Sequence, residues 1–200
     1  MPRASAADAA KTATRIADDA TRLFQARGFS RVTLDDVAAA ADVTRGAVYH
    51  HYGSKKGVFL AVAARLQAQV ANAVTNAAEQ PGLDANAALR AGSHAFLEAI
   101  STGPAARVLL IEAPAVLDWQ EWRRLDAENS AAHLREGLRA TGVAESLLDA
   151  MTAHLSGAMN EAALWAAQAP DPAAALALAH EALDVLLDAV ADDTTGENGR

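Results

Sequence analysis

Apolar residues recur at three- and four-residue spacing along nearly the whole chain, and no stretch alternates with the two-residue period of a strand, so the pattern predicts an all-α fold. A first helix carries Ile16, Ala20, Leu23 and Phe24 on one face and stops at Gly28. Two short helices follow. Thr33 caps the first of them, with Asp36 as an imperfect capping box and Val32 and Val37 as a staple, and Thr44 caps the second. Ser54 then caps a long fourth helix with apolar residues at Val58, Val62, Leu66, Val70 and Val74, ending near Gln80-Pro81-Gly82. A fifth begins at Asp84 and bears Leu89, Phe96, Leu97 and Ile100; a sixth is opened by Gly103-Pro104, carries Val108, Leu109 and Ile111, and is closed by Pro114. The seventh spans about 118–140 before Gly142, the eighth about 145–168, and the ninth opens at Asp171-Pro172 and carries Leu176, Leu183, Leu186, Leu187 and Val190. Nine helices are expected in all. They divide into a head (1–57), a helical body (58–191) and a charged, apolar-poor, disordered tail (192–200).

The second and third helices, joined by a tight turn at Ala41-Asp42-Val43, form a helix-turn-helix, the unit that places its second helix in the major groove of DNA. The N-terminal residues of that helix, Thr44, Arg45, Gly46 and Ala47, would face base edges. Arg45 alone among them can bond a guanine through both arms of its fork, worth about 1 to 3 kcal/mol of discrimination, while Gly46 lets the backbone come close. The alternative for Arg45 is a phosphate contact. Tyr49 lies one turn further on the same face, within reach of a phosphate, whereas Tyr52 reads better as packing in the head. Lys55 and Lys56 break a rule: they stand in the first turn of a helix, where the macrodipole disfavours cations. A phosphate at that helix N-terminus would explain them, and surface lysines tolerated at small cost are the plainer alternative.

Charge and composition sharpen this picture. The 200 residues carry a net charge of -8, yet residues 1–57 hold nine Lys/Arg against six acids, a net +3, which leaves -11 for the rest. A basic head on an acidic body would orient approach to a duplex. The apolar fraction of 52% suffices for a helical core. Absence of cysteine excludes disulfides and thiolate metal sites, residues 1–13 lack the apolar stretch of a signal peptide, and no apolar run reads as a membrane span. A cytoplasmic location is therefore expected. Adjacent His50 and His51 diverge on a helix, so no metal site is expected, and no cofactor.

The run from Thr14-Arg15-Ile16 to Leu23-Phe24, then Gly28-Phe29, Thr33-Leu34-Asp35-Asp36-Val37-Ala38, Val43-Thr44-Arg45-Gly46-Ala47-Val48-Tyr49-His50-His51-Tyr52 and Ser54-Lys55 resembles the N-terminal domain of the TetR family of transcriptional regulators. Asp42 stands where that turn normally carries Gly, and Lys56 where an acid is common. Asp tolerates a left-handed backbone better than most residues, so the turn is expected to form. The resemblance implies that Thr33, His50 and Lys55 contact the DNA backbone. It implies a ligand-responsive repressor that binds a palindromic operator as a homodimer, and a body that takes a small-molecule inducer. For the dimer interface the last two helices are expected to supply Leu155, Ala158, Met159, Ala162, Ala166, Leu183 and Leu187; packing within one subunit is the alternative. Phe96, Trp119, Trp122, His154 and Asn160 are the candidate pocket residues, each of which could instead be core.

Two rivals are weaker. A LacI-type head would stand at the very start of its chain and precede an α/β core, and neither holds here. An enzyme would have to rest on Ser93-His94 or on His154 with Ser156, and neither pair sits on a strand-turn-helix elbow, so no catalytic residue is expected.

Overall fold

In the computed structural model, residues 6–118, 120–122, 124 and 130–196 are described, with side chains as far as 191. Every described residue outside turns and loops is helical. The head consists of α1 (Ala6–Arg27), α2 (Leu34–Ala40) and α3 (Arg45–Tyr52); α4 (Lys55–Ala78) leaves it and enters the body. The body adds α5 (Ala85–Ser101), a π-helical segment (Ala106–Glu112) continuous with the short α6 (Ala113–Val116), then α7 (Ser130–Ala140), α8 (Leu148–Gln168) and α9 (Pro172–Gly196). Helix α9 thus runs past Asp192, where the sequence pattern suggests a tail, and residues 197–200 lie outside the described residues.

The expected helix signals operate. Asp84 accepts the Ala87 N–H at 2.8 Å, Asp171 that of Ala174 at 3.1 Å, and Gly28 and Gly142 take positive φ at helix ends. Pro114 is the exception, because it does not close its helix. In the π-helical segment the Ala113 N–H bonds back to the Val108 carbonyl, five residues earlier. The next such donor would be the nitrogen of Pro114, which has no hydrogen, and its expected acceptor, the Leu109 carbonyl, is instead taken by the Trp122 indole N–H at 3.3 Å. Trp122 therefore serves the backbone at this site.

Two apolar centres meet along α4. In the head, Ile16, Ala20 and Phe24 pack with Val37, Val48 and Phe59, and the rings of Phe24, Phe29 and Phe59 lie 5.2 to 5.9 Å apart. In the body, Leu66 and Val70 continue the stripe against Leu89, Phe96, Leu97 and Ile100 of α5, with Leu134, Leu138, Leu155, Met159, Leu183 and Leu187 behind them. Contrary to the sequence expectation, α4 is long and apolar enough to cross a membrane by composition alone; its buried stripe is accounted for by these two cores.

A polar cluster seams α5 to α9. Arg90 pairs with Asp184 and Asp188, His94 Nε2 lies 2.7 Å from Asp184 Oδ1, and the His94 and His180 rings are 4.4 Å apart. Glu98 faces His180 at 3.9 Å, and His180 Nδ1 is buried without a hydrogen bond. Burial, and then the neighbouring His94, push the His180 imidazole below its ordinary value. The folded state therefore resists a proton that the unfolded chain accepts as pH falls below about 6.5. Stability is complete above that pH and declines beneath it. We expect the melting temperature to fall more between pH 7.5 and 5.5 in the wild type than in H180Q, as read by circular dichroism; an equal fall in both would remove His180 as the cause.

Candidate nucleic-acid interface

The helix-turn-helix is built by its caps. Thr33 Oγ1 accepts the Asp36 N–H at 3.1 Å, and the Asp36 carboxylate accepts both the Thr33 N–H at 2.8 Å and the Thr33 hydroxyl at 2.6 Å, completing the box. The Thr33 hydroxyl, and then its N–H, hold the Asp36 carboxyl below the usual range. Asp42 adopts φ 49°, the left-handed turn conformation expected of it, and the Val43 N–H returns to the Ala38 carbonyl at 3.0 Å. Thr44 caps α3 by accepting the Ala47 N–H at 3.1 Å. With Val37 and Val48 buried between α2 and α3, the opposite face of α3 is left to solvent.

That face brings together most of the residues read from the sequence. Thr33, Thr44, Arg45, Gly46, Tyr49 and His50 are exposed and Ala47 is half-buried. Tyr49 is 63% exposed, unusual for a large aromatic ring. A Cβ built on Gly46 would meet only Thr44 Oγ1, at 3.8 Å, so nothing inside the chain demands glycine there. Arg45 pairs with Asp35 at 3.2 Å, both side chains about two-thirds exposed, a pair weak enough to exchange for another acceptor. Tyr52 packs in the head and donates its hydroxyl to the Ala13 carbonyl at 2.7 Å.

The lysines of α4 differ from expectation. Lys55 Nζ donates to the Phe29 carbonyl at 3.0 Å and sits 4.2 Å above the Phe29 ring, and Lys56 pairs with Glu121 of the body at 2.9 Å. Hydrogen bonding to Glu121 holds the Lys56 ammonium above its usual range. Their unfavourable place in the first turn is thus offset from within the chain, by partners 26 and 65 residues away in sequence. Ser54 caps α4 by accepting the Gly57 N–H at 2.9 Å.

Two determinants have no local signature. Gly57 must be glycine, because a Cβ there would lie 2.0 Å from the Tyr52 carbonyl oxygen; glycine inside a helical first turn is the only hint in sequence. Glu112, at the end of the π-helical segment, accepts the Phe29 N–H at 3.1 Å and pairs with Arg107, which also donates to the Gln25 carbonyl at 3.1 Å. The α1–α2 turn is therefore held by the body.

The body's candidate residues divide. Phe96 lines a cavity of about 370 Å³ between α4, α5, α7 and α8. Trp122 does not, being engaged with Leu109; His154 is exposed with Nδ1 2.7 Å from the Ala150 carbonyl oxygen; Asn160 is absent from the cavity wall; Trp119 lies outside the described residues. Of the expected interface residues, Leu155, Met159, Ala166, Leu183 and Leu187 are buried in the chain's own core, Ala162 is half-buried and Ala158 is exposed. The large apolar residues left outside on α8 and α9 are Trp165, Leu178, Val185 and Leu186.

Comparison with known proteins bears on this arrangement. Residues 16–62 match the model of bacterial regulatory proteins of the tetR family, and residues 86–190 match that of the tetracyclin repressor-like C-terminal domain. The chain is 49% identical over 67 residues to the HTH-type transcriptional regulator SrpR of Pseudomonas putida, covering 34% of this chain and 32% of that protein. It is 41% identical over 59 residues to the probable acrEF/envCD operon repressor of Escherichia coli K12, covering 30% and 27%. The match thus spans only about a third of those regulators' length. Among solved structures, a TetR-family transcriptional regulator from Pectobacterium atrosepticum superposes with TM-score 0.73 at 30% identity, over 93% of this chain and 97% of that one. A TetR-family regulator from Streptomyces coelicolor shares the fold with TM-score 0.74 at 23% identity, over 96% and 98%.

Because the Gly57 position opposes a backbone oxygen rather than a yielding side chain, G57A should destabilise the head by about 2 to 3 kcal/mol or more. At roughly 2 to 4 °C per kcal/mol for a chain of this size, we expect the melting temperature to fall by about 5 to 10 °C, measured by calorimetry. An unchanged melting temperature would mean that the α3–α4 turn is more plastic than its geometry indicates.

Proposed function

The chain belongs to the TetR family of bacterial regulatory proteins, and on that premise we propose that it is a cytoplasmic transcriptional repressor which binds a palindromic DNA operator as a homodimer and releases it on binding a small molecule. The observation that carries the reading is the exposed, capped N-terminal turn of α3, with Thr44, Arg45 and Gly46 outward and Tyr49 one turn behind. Arg45 exchanges Asp35 for a base edge; Tyr49, His50 and Thr33 meet phosphates; Lys55 and Lys56 contribute positive potential beside them. The role is regulatory and asks no catalysis of any residue.

One head offers too few contacts for specificity, so two act together, about 34 to 36 Å apart on successive major grooves. The proposed two-fold contact is the outer face of α8 and α9, which leaves Ala158 and Trp165 of α8 and Leu178, Val185 and Leu186 of α9 exposed. Exposed apolar residues grouped on two packed helices suit an isologous interface. The inducer occupies the 370 Å³ cavity, within the size range of small-molecule sites. Its effect reaches the head through α4, which lines the cavity at Val74, Thr75 and Ala78, and through the Glu112 hold on Phe29. Reversing a 99:1 population takes about 5.5 kcal/mol of differential binding, shared here between two pockets.

Selection of bound sequences from a random DNA pool tests the reading. We expect a palindromic consensus for the wild type and, for R45A, loss of preference at one position per half-site; a pool without enrichment would refute sequence-specific binding. Separately, V185E should shift the particle from dimer to monomer in sedimentation velocity while leaving helix content unchanged, since Val185 is 69% exposed in the subunit. A variant that stays dimeric would move the interface elsewhere.

A further inference from the structure

The body cavity has a chemical asymmetry that limits what it can hold. Most of its wall is apolar, supplied by residues such as Leu89, Phe96, Leu134 and Met159. Interrupting that wall are three serines from three different helices, Ser93 of α5, Ser130 of α7 and Ser156 of α8, with relative exposures of 4%, 6% and 9%. The Ser130 hydroxyl is buried without any hydrogen-bond partner. A buried hydroxyl left unbonded is a cost that the fold does not recover from its own atoms. Among the described residues, the ionisable ones on the wall are Glu79, His133 and Glu136, all exposed, with Glu136 paired to Arg139 and no lysine or arginine in the wall itself.

We propose that the cavity is a site for an uncharged, largely apolar molecule carrying one hydroxyl or carbonyl group, which bonds the Ser130 hydroxyl, and that it rejects carboxylates and other anions. This rests on the reading of the body as an inducer site and names the class of inducer. An anionic group carried in as far as Ser130 would lose its hydration and, among the described wall residues, find no lysine or arginine to pair with, while Glu79 stands at the rim. A wholly apolar molecule would leave Ser130 unsatisfied. A neutral molecule with a polar end meets both conditions, and a cavity of about 370 Å³ lies within the size range of small-molecule sites.

The test uses the full chain and three probes of one length: decan-1-ol, decanoate and decylammonium, titrated at pH 7.5 by calorimetry. The alcohol is expected to bind at least tenfold more tightly than either ion. S130A is expected to weaken the alcohol about five- to tenfold, and to melt without ligand at the same or a higher temperature, because it removes an unsatisfied hydroxyl. Absence of alcohol binding, tighter binding of either ion, or an S130A affinity equal to that of the wild type would each overturn the proposal. The same probes added to the chain bound to its selected DNA separate the two readings: alcohol binding that depends on Ser130 without release of DNA upholds the ligand class and removes its role as inducer.

Discussion

Helix α4 is shared by two hydrophobic cores, and the relation of head to body follows from that sharing. Val58, Phe59 and Val62 are locked among α1, Phe29 and α3, while Leu66 and Val70 are locked against α5. Close-packed interiors do not absorb a rotation of one stripe without repacking the other, so the α4 orientation set in the body is imposed on the head. Phe29 makes the coupling tighter. Its ring packs on Phe24 and Phe59, its carbonyl takes the Lys55 ammonium, and its N–H goes to Glu112. One residue therefore joins α1, α4 and the π-helical segment, and Gly28 before it leaves the room that this needs, since a Cβ there would meet Glu112 Oε1 at 2.5 Å.

The π-helical segment is the least ordinary piece of backbone among the described residues, and it ends at Glu112, the residue that grips the head. Its register depends on compensation: Pro114 withholds a donor from the Leu109 carbonyl and Trp122 supplies one. Wider π turns recur where helices carry function, because the extra residue re-aims the side chains that follow. Here the side chains so aimed are Glu112 and, through it, Arg107, which together hold Gln25 and Phe29.

What could be read from sequence was local. The caps at Thr33, Thr44, Ser54 and Asp84, the left-handed Asp42 and the outward face of α3 all follow from neighbours within four residues, and the pattern exposes them. Two features that the local pattern left open share a cause. Helix α8 is so rich in alanine and apolar residues that several stripes look equally fit for burial; Leu155, Met159 and Ala166 turned inward, leaving Trp165 outside. Lys55 and Lys56 broke a local rule that distant partners satisfy, and no periodicity points to Phe29 or Glu121. Trp122 and Pro114 repeat the lesson, since an aromatic on a helix and a proline near a helix end were each explained by the other.

The internal pairing of the head's cations also alters what binding to DNA would involve. Arg45 rests on Asp35 at 3.2 Å, Arg27 on Asp36 at 3.5 Å, Lys55 on Phe29 and Lys56 on Glu121. On the proposed reading, docking exchanges partners for these groups instead of neutralising bare charge. Exchange at Arg45 costs little, because its pair is exposed and such pairs contribute about 0 to 1 kcal/mol. Exchange at Lys55 disturbs the packing of Phe29, and with it the contact to Glu112. Arg45, the proposed base-reading residue, is thus free to move while Lys55 is tied to the body's grip on Phe29, so that on this reading recognition and its control would fall on different side chains.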